Sequence, residues 1–254
     1  MRVLVCVKRV PAPGARIVLT PDGQQIDTRN LGFATSPHEE CAVEGAVQLA
    51  ADHGGTSTVL TMGPPESEEQ LRYAVSVGVD AAVLVPTDGS DLDPQATARG
   101  LVSAVTALEE RDGRFDLILF GNESADAGGY QVGVRVARAL ERPIVSGIKD
   151  IEIDGDEVVA KREIPSGFEV YRLEMPAVLA VREGLNLPRY PTLPGRLKSR
   201  KAEVAAVDVA FEPGGQRKIG FESPPEQESH TVTLGEGVDA VPAIVEVLES
   251  LGIR

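Results

Sequence analysis

The first 145 residues alternate short apolar runs of strand length with longer segments of helical periodicity. The apolar runs are RVLVCV (2–7), TSTVLT (56–61), AAVLVP (81–86) and FDLILF (115–120). Continuous runs of this kind are typical of strands that are buried on both faces. Because strands that alternate with helices form parallel sheets, the sequence predicts an α/β fold with a mostly parallel, doubly covered sheet.

Capping residues mark where the helices begin and end. Ser36 is predicted to cap the first helix, with Pro37 at its first position and Glu39 completing a capping box. The second helix is predicted to end at Gly78 and the third to begin at Asp93. A fourth helix follows the glycine-rich loop after the fourth strand.

The pattern changes after about residue 146. The stretch 148–164 predicts a β-hairpin, and 167–181 supplies two more strands, of which AVLAV (177–181) is predicted to join the main sheet. Residues 211–237 are rich in Gly, Pro and charge, and a short helix is predicted within 240–253. We therefore expect an α/β domain (1–204) with an added hairpin region. A C-terminal arm and helix (205–254) is expected to pack on a partner subunit.

Charge and composition exclude several function classes. The chain of 254 residues is strongly acidic, with a net charge of −14 and no Trp, which argues against nucleic acid as a partner. Its apolar runs are of strand length, so no membrane insertion is expected. The chain enters a strand directly from Met1, and we expect no signal peptide.

The cysteines and histidines form no recognisable metal-binding pattern. Cys6 and Cys41 lie in apolar settings without a CxxC motif, as expected for reduced thiols in a cytoplasmic protein. His38, His53 and His230 have no ligand spacing with them. We therefore expect no metal site.

Loops at the carboxyl ends of the strands are the expected ligand site, because open parallel sheets bind ligands there. The loop after the fourth strand is the most informative: Gly121 ends the strand, Asp126 is predicted to cap the next helix, and Gly128–Gly129 permit close approach of a phosphate to helix amides. A tight turn without a ligand is the alternative. No Walker A lysine and no GxGxxG motif is present, and no catalytic triad is indicated. The residues alone thus indicate a nucleotide-binding α/β domain without a visible catalytic group.

The stretch NLPRYPTLPGRLKSRKAEV (186–204) is the most unusual part of the chain. Pro188, Pro191 and Pro194 predict a stiff loop and argue against a helix or a central strand there. Four basic residues follow within 196–201. The residues alone leave open whether the loop protrudes or is tucked onto its own domain, and whether the basic run is a contact surface or merely solvated.

Several blocks together resemble the β subunit of electron transfer flavoprotein. They are VLVCVKRVP (3–11), SPHEECAVEGAVQLA (36–50), MGPPESEEQLRYAVSVGVD (62–80), DLILFGNESADAGGYQVG (116–133) and the long block 161–204. The resemblance covers most of the chain, and it implies a Rossmann-like, adenine-nucleotide-binding fold. It also implies a redox carrier subunit rather than a self-sufficient enzyme.

The resemblance implies a heterodimer with an electron transfer flavoprotein α subunit. FAD would lie mainly in the α subunit, flanked by His38 of this chain, and the chain itself would hold AMP, or a second FAD in electron-bifurcating relatives. Carried over by position, the nucleotide-binding residues are Cys6, Ser36, Pro37, His38, Glu39, Met62, Asp126, Ala127, Gly128, Gly129, Tyr130, Gln131, Val132, Gly133, Val134, Arg135, Val136 and Ala137.

The same resemblance makes 186–201 a partner-recognition loop that docks on flavin-dependent dehydrogenases, with a quinone oxidoreductase downstream. Its recognition residues are Tyr190, Pro191, Thr192, Leu193 and Pro194, with Leu193 as the apolar anchor. Flanking prolines would lower the entropy lost on docking.

Three departures from the family pattern bear on function. His38 stands where a large apolar residue is usual, and Leu187 replaces a usual Glu. The loop SADAGGYQVG (124–133) matches neither the respiratory nor the bifurcating pattern fully, so AMP is favoured over a second FAD without being fixed. A universal-stress-like nucleotide-binding protein is the remaining alternative.

Overall fold

A computed structural model describes residues 1–212, 214–225 and 231–253. It contains two compact units, Met1–Gly220 and Phe221–Arg254. His230 and part of the predicted irregular stretch 211–237 lie outside the described residues.

Within the described part of the first unit, nine strands form one sheet in the order β11-β5-β4-β1-β6-β10-β7-β8-β9. Their bounds are β1 Arg2–Cys6, β4 Thr56–Gly63, β5 Ala81–Pro86, β6 Leu117–Gly121, β7 Ile144–Asp154, β8 Glu157–Ile164, β9 Gly167–Glu174, β10 Ala177–Val181 and β11 Val204–Ala206; β2 Val10–Pro11 and β3 Phe33–Ala34 form a separate small sheet. Strands β11 through β7 pair in parallel, and β8 and β9 extend the sheet antiparallel. The predicted fold class is confirmed.

The described residues of this unit form five helices: α1 Pro37–Asp52, α2 Glu68–Ser76, α3 Pro94–Asp112, α4 Val132–Ala139 and α5 Leu193–Lys201, with a 3₁₀ turn at Pro65–Ser67. The two faces of β1 show how they cover the sheet. Val3 and Val5 pack in the core layer under α1 and α2, and Leu4 and Cys6 pack in the layer under α3 and α4. Burial on both faces explains the continuous apolar runs of the sequence.

The predicted helix boundaries are confirmed where they rest on local capping chemistry. Ser36 and Glu39 form both bonds of the capping box, and the Asp93 side chain accepts from the first amides of α3. Gly78, just past α2, has φ +127°, a conformation that favours glycine. The hairpin of β7 and β8 turns at Gly155, φ +62°, and β10 joins the main sheet as predicted, where it lies between β6 and β7.

The prediction that prolines keep 186–204 free of helix is wrong from Leu193 onward. Helix α5 begins there, and the Thr192 side chain caps it by accepting from the amide of Gly195. Pro194 lies in the first turn, where its missing N–H removes no helical hydrogen bond. Residues 186–192 are non-helical, as predicted.

In the second unit, a 3₁₀ turn (Gly237–Ala240) leads into α6, Val241–Ser250, so the predicted terminal helix is confirmed. The described residues of α6 include none that is buried. The first unit continues past residue 204 to Gly220 and includes β11; the division into a domain and a partner-binding arm remains a prediction. Across the described ranges, no helix combines the length and the apolar character needed to cross a membrane.

Candidate functional site

The strand order reverses at β1, which lies between β4 and β6 in the sheet. The chain moves outward from β1 to β4 and β5, then returns to the other side of β1 as β6. The loops after β1 (residues 7–9) and after β6 (residues 122–131) therefore flank a topological switch point, and we call them the switch-point loops. Open α/β sheets bind ligands at such a point.

An ion pair connects the two switch-point loops. Lys8 Nζ lies 2.7 and 2.8 Å from the carboxylate oxygens of Asp126. The prediction that Asp126 caps α4 is wrong: Gln131 occupies the N-cap position without a side-chain cap bond, and Asp126 instead accepts from Lys8 and from the amide of Ala127. Asp126 lies too far upstream of Val132 to reach the helix start. Lys8 is not among the site residues predicted from the sequence, although its place in the loop after β1 is a usable signal.

Glu39 connects the start of α1 to the end of β1. Its buried carboxylate accepts from the backbone amide of Lys8 at 2.8 Å, and from the amide and hydroxyl of Ser36 at 3.1 and 2.9 Å. Burial raises the pKa of Glu39 to about 7, although these hydrogen bonds act in the opposite direction. A Cβ on Gly121 would lie 2.7 Å from Glu39 Cγ, so the end of β6 requires a residue without a side chain.

His38 faces the carboxyl edge of the sheet beside Glu39. Its Nδ1 accepts from the backbone amide of Glu183, just after β10, at 2.8 Å, and its Nε2 lies 3.5 Å from the carboxylate of Glu123. Since Nδ1 is an acceptor, the ring proton belongs on Nε2, facing Glu123. A side-chain hydrogen bond to Glu123 also raises the pKa of Tyr130. The loops after β6 and after β10 thus meet at the imidazole ring of His38.

The glycine-rich part of the second loop is open to solvent. Gly128 has φ +55°, and a Cβ there would meet nothing within 4 Å. Tyr130 adopts a similar left-handed conformation, φ +53°, which is uncommon for a residue with a side chain. The backbone amide of Arg135 bonds to the carbonyl of Gln131, so the amides of 132–134 precede the helical hydrogen bonds of α4.

Four of the other nucleotide-binding residues predicted from the resemblance, Cys6, Met62, Val136 and Ala137, lie deeper in the fold, whereas Ala127 and Val134 are exposed. Cys6 is buried at the end of β1, and burial, with a contribution from Glu39, raises the pKa of its thiol well above the usual range. The terminal methyl of Met62 lies against Gly100, at 2.6 Å from where a Cβ would be. Val136 and Ala137 are fully buried, so their side chains belong to the core.

The residues of the switch-point loops fit a ligand that carries a phosphate. Free amides at the start of an eight-residue helix favour an anion, and Gly128 leaves space in front of the loop. Arg135 is exposed and its guanidinium bonds to the Gln131 side chain at 3.0 and 3.2 Å. Lys8 neutralises Asp126, which would otherwise repel a phosphate. Among the residues that the structure describes, no three His, Cys, Asp or Glu side chains are grouped so that they could hold a metal ion.

Residues 186–201, which we call the proline segment, form a second candidate site. Leu187 and Tyr190 are each 90% exposed and Leu193 is 72% exposed. Such exposure of large apolar side chains close together is typical of a surface that contacts another molecule.

The backbone of the proline segment is nevertheless anchored to α1. Arg189 donates from Nε and Nη2 to the two carboxylate oxygens of Glu44, each at 2.7 Å. Asn186 donates from its side-chain amide to the carbonyl of Cys41 at 2.9 Å. The sequence left open whether the segment protrudes or is tucked onto its own domain, and each alternative holds for some of its side chains. The anchoring side chains point inward, and the apolar ones point outward.

Helix α5 extends this anchoring onto α2. A Cβ on Gly195 would lie 2.1 Å from the carbonyl oxygen of Ser76, so the two helices are in backbone contact there. Arg72 donates from Nη1 to the carbonyls of Ser199 and Ala202, each at 3.0 Å, and thereby satisfies the C-terminal end of α5. The basic residues of α5 remain exposed: Arg196, Lys198, Arg200 and Lys201.

Comparison with known proteins gives the family. Residues 25–212 match the electron transfer flavoprotein domain. The electron transfer flavoprotein subunit beta of Bacillus subtilis is 32% identical over 257 residues, 98% of each chain. Its human counterpart is 30% identical over 99% of this chain and 98% of its own. The caffeyl-CoA reductase-Etf complex subunit CarD of Acetobacterium woodii is 30% identical over 77% of this chain and 73% of its own. The chain belongs to the electron transfer flavoprotein beta subunit family.

Proposed function

We propose that the chain pairs with an electron transfer flavoprotein α subunit in a cytoplasmic heterodimer. The heterodimer takes electrons from flavin-dependent dehydrogenases and passes them toward a quinone oxidoreductase. One observation carries the proposal: a single chain of this family contains both a switch point that suits a phosphate and an exposed apolar segment. Membership of the family supplies the electron-transfer role.

In this proposal the chain holds AMP as a structural ligand at the switch point. The amides of 132–134 and the Arg135 guanidinium hold the phosphate, and Lys8 neutralises Asp126, which would otherwise repel it. Support comes from the open loop at Gly128 and the helix start behind it. Glu39 holds the loop after β1 in register with α1.

FAD, held mainly by the α subunit, supplies the acceptance and release of electrons. The residues of this chain orient the flavin and shield it. His38 would flank the isoalloxazine ring, with its Nδ1 held by the amide of Glu183 and its Nε2 facing Glu123. A ring fixed in this way presents a donor rather than a lone pair.

A second candidate is a bifurcating-type subunit, with a second FAD at the switch point that reacts with NADH. Gln131-Val132-Gly133 favours it, since these residues resemble the bifurcating pattern and occupy the start of α4. The capped helix that begins at Ser36 favours AMP.

The proline segment is proposed to be the surface that docks on dehydrogenases. Leu193 is the anchor, and Tyr190, Pro191, Thr192 and Pro194 shape the segment around it. The exposure of Leu193 and the side-chain cap from Thr192 support this assignment, because a prefixed loop loses less entropy on docking. The basic face of α5 would speed encounter with acidic partners.

The C-terminal arm, 205–254, is proposed to pack on the α subunit through α6. Support comes from the apolar side chains that this helix exposes: Val241, Ile244, Val245, Val247 and Leu248, followed by Leu251. A helix of this kind is stable in water only when its apolar face is covered.

The test is to co-express the chain with its α subunit, purify the complex, denature it and quantify the released nucleotides. One FAD and one AMP per heterodimer support the main proposal, and two FAD without AMP support the bifurcating candidate. In the same assay, the variant Arg135→Gln is expected to lower the AMP content of the complex while its FAD content stays unchanged. A chain that binds ATP as a homodimer without flavin would contradict both.

A further inference from the structure

We propose that the Glu44–Arg189 ion pair makes helix α1 a fixed link between the switch-point site and the proline segment, which sets the docking geometry in advance. The inference rests on the proposed docking function. It assigns Glu44 and Arg189 as positioning residues, since neither is proposed to touch the flavin or the nucleotide.

Helix α1 carries residues that contact both the switch-point loops and the proline segment. The first turn of α1 carries His38 and Glu39, which belong to the switch-point site. Cys41 and Glu44 follow on the same helix and hold the proline segment. At about 1.5 Å rise per residue, Glu39 and Glu44 are about 8 Å apart along the axis. A helix this short and this well buried transmits position without bending.

The second step is that the Glu44 carboxylate has both oxygens occupied. Its side chain is 4% exposed. It accepts from Arg189 Nε and Nη2 at 2.7 Å each, from the Arg189 amide at 3.3 Å, and from Gln48 Nε2 at 2.6 Å. Burial alone would raise the pKa of Glu44, but the hydrogen bonds from Arg189 and Gln48 bring it below its ordinary value. A buried carboxylate without its guanidinium is costly, so the pair holds its geometry strongly.

The third step concerns the backbone on either side of Arg189. Gly45 leaves space for Leu185, whose Cδ2 would lie 3.3 Å from a Cβ there. Asn186 is fixed by the carbonyl of Cys41. The chain from 185 to 189 is therefore attached to α1 at three points, and Tyr190 follows directly after the last. The exposed side chains project from a backbone that α1 already holds.

The consequence is kinetic. A segment that is ordered before encounter loses less conformational entropy on binding, so weakening the anchor should weaken docking rather than the electron transfer that follows. We expect Glu44→Gln or Arg189→Lys to raise the KM for a protein electron donor about tenfold, with kcat changed less than twofold. Arg189→Lys keeps the charge and loses the paired geometry.

The experiment uses the complete heterodimer with its α subunit and FAD. Amide hydrogen exchange is measured over 186–192, nucleotides are quantified, and KM and kcat are determined with a purified flavin-dependent dehydrogenase as donor. The matched control is Arg172→Lys, which alters an exposed ion pair with Asp154 on the antiparallel edge. Faster exchange over 186–192 with raised KM and unchanged nucleotide content is the expected result for both variants, and not for the control.

The effects of the two single substitutions on the exchange rate should not add, because both disrupt the same ion pair. The double variant Glu44→Gln/Arg189→Lys is expected to exchange no faster over 186–192 than the faster-exchanging single variant. Unchanged exchange in both folded singles would overturn the inference whatever the kinetics. Faster exchange without a change in KM would also overturn it, and would show that the fault lies in the proposed docking function. Loss of nucleotide together with faster exchange along α1 would assign the pair to the stability of the helix, and would overturn the link.

Discussion

Helix α1 buries two carboxylates in two different regions of the molecule, and they are held in opposite ways. Glu39, at the switch point, accepts only from backbone amides and a hydroxyl, and its pKa is raised to about 7. Glu44, under the proline segment, accepts from a guanidinium, and its pKa is lowered. Burial raises the pKa of both groups, but at Glu44 the hydrogen bonds donated by Arg189 and Gln48 outweigh it.

The two regions are ordered by different interactions. The proline segment is exposed, but its Arg189 pairs with the buried Glu44 of α1, so the protein alone fixes it. The switch-point loops are joined by Lys8 and Asp126, both partly exposed, and such pairs contribute only about 0–1 kcal/mol. We therefore expect ligand binding to order the switch-point loops, and to change the proline segment little.

The largest expected effect is in the pH dependence of stability at Glu39. Its pKa is raised in the folded state from an ordinary 4.5 to about 7, so its contribution is complete below pH 4.5 and is lost as pH rises to about 7. The free energy of unfolding of the unaltered chain, minus that of Glu39→Gln, should fall by about 2–3 kcal/mol between pH 5 and pH 8. Denaturant unfolding of the heterodimer at both pH values measures it.

Glu44→Gln is the matched control for that prediction, and its sign is opposite. Because the folded-state pKa of Glu44 is lowered, its contribution is present above the ordinary value and is lost as pH falls below it. Parallel pH profiles for the two variants would show that the two carboxylates are not held differently.

The next effect is steric. Gly195→Ala would place a Cβ 2.1 Å from the carbonyl oxygen of Ser76, and neither backbone can yield easily. We expect a loss of about 1–3 kcal/mol in the free energy of unfolding, with weaker docking on dehydrogenases. Thermal unfolding and donor KM are the measurements.

Gly128→Ala is the matching substitution in the switch-point loops, and its effect on stability is compared with that of Gly195→Ala in the proline segment. A Cβ there meets nothing, and only the left-handed φ of +55° opposes it, at about 1 kcal/mol. If Gly128→Ala proves more destabilising than Gly195→Ala, the account of the proline segment as the more tightly held region is wrong.

Leu193→Ala should separate docking from folding. The side chain is 72% exposed, so the free energy of unfolding should change by less than about 0.5 kcal/mol. Reduction by a dehydrogenase should slow about tenfold or more if Leu193 is the anchor, equivalent to about 1.4 kcal/mol. Stopped-flow reduction of the flavin measures the rate, and Val170→Ala, exposed on β9, is the control. Loss of FAD at Leu193→Ala would move this residue into a subunit interface.

The features that the sequence could predict are local. The cap at Ser36, the stop at Gly78 and the strand runs each depend on neighbours within one helical turn or one strand. The sequence does not predict the helix after Thr192, because its three prolines argue against one; Pro194 is nevertheless compatible with a helix, since it lies in the first turn.

The pairs that organise both sites were beyond local reasoning. Lys8 and Asp126 are 118 residues apart in the chain, and Glu44 and Arg189 are 145 apart. Nothing in the spacing or type of these residues indicates which carboxylate meets which cation. Only the order of strands in the sheet brings them together.

The smallest expected effect on stability is at Lys8. Its ammonium group pairs with Asp126 across the switch point, and an exposed pair of this kind is worth less than about 1 kcal/mol. Lys8→Met should therefore leave the free energy of unfolding of the nucleotide-free protein nearly unchanged. It should nevertheless weaken AMP binding, because Asp126 would then repel the phosphate, and the deficit should shrink in the double variant Lys8→Met/Asp126→Asn. Isothermal titration with AMP measures both variants. An equal loss of affinity in the single and the double variant would mean that Lys8 acts on the phosphate directly and not by neutralising Asp126.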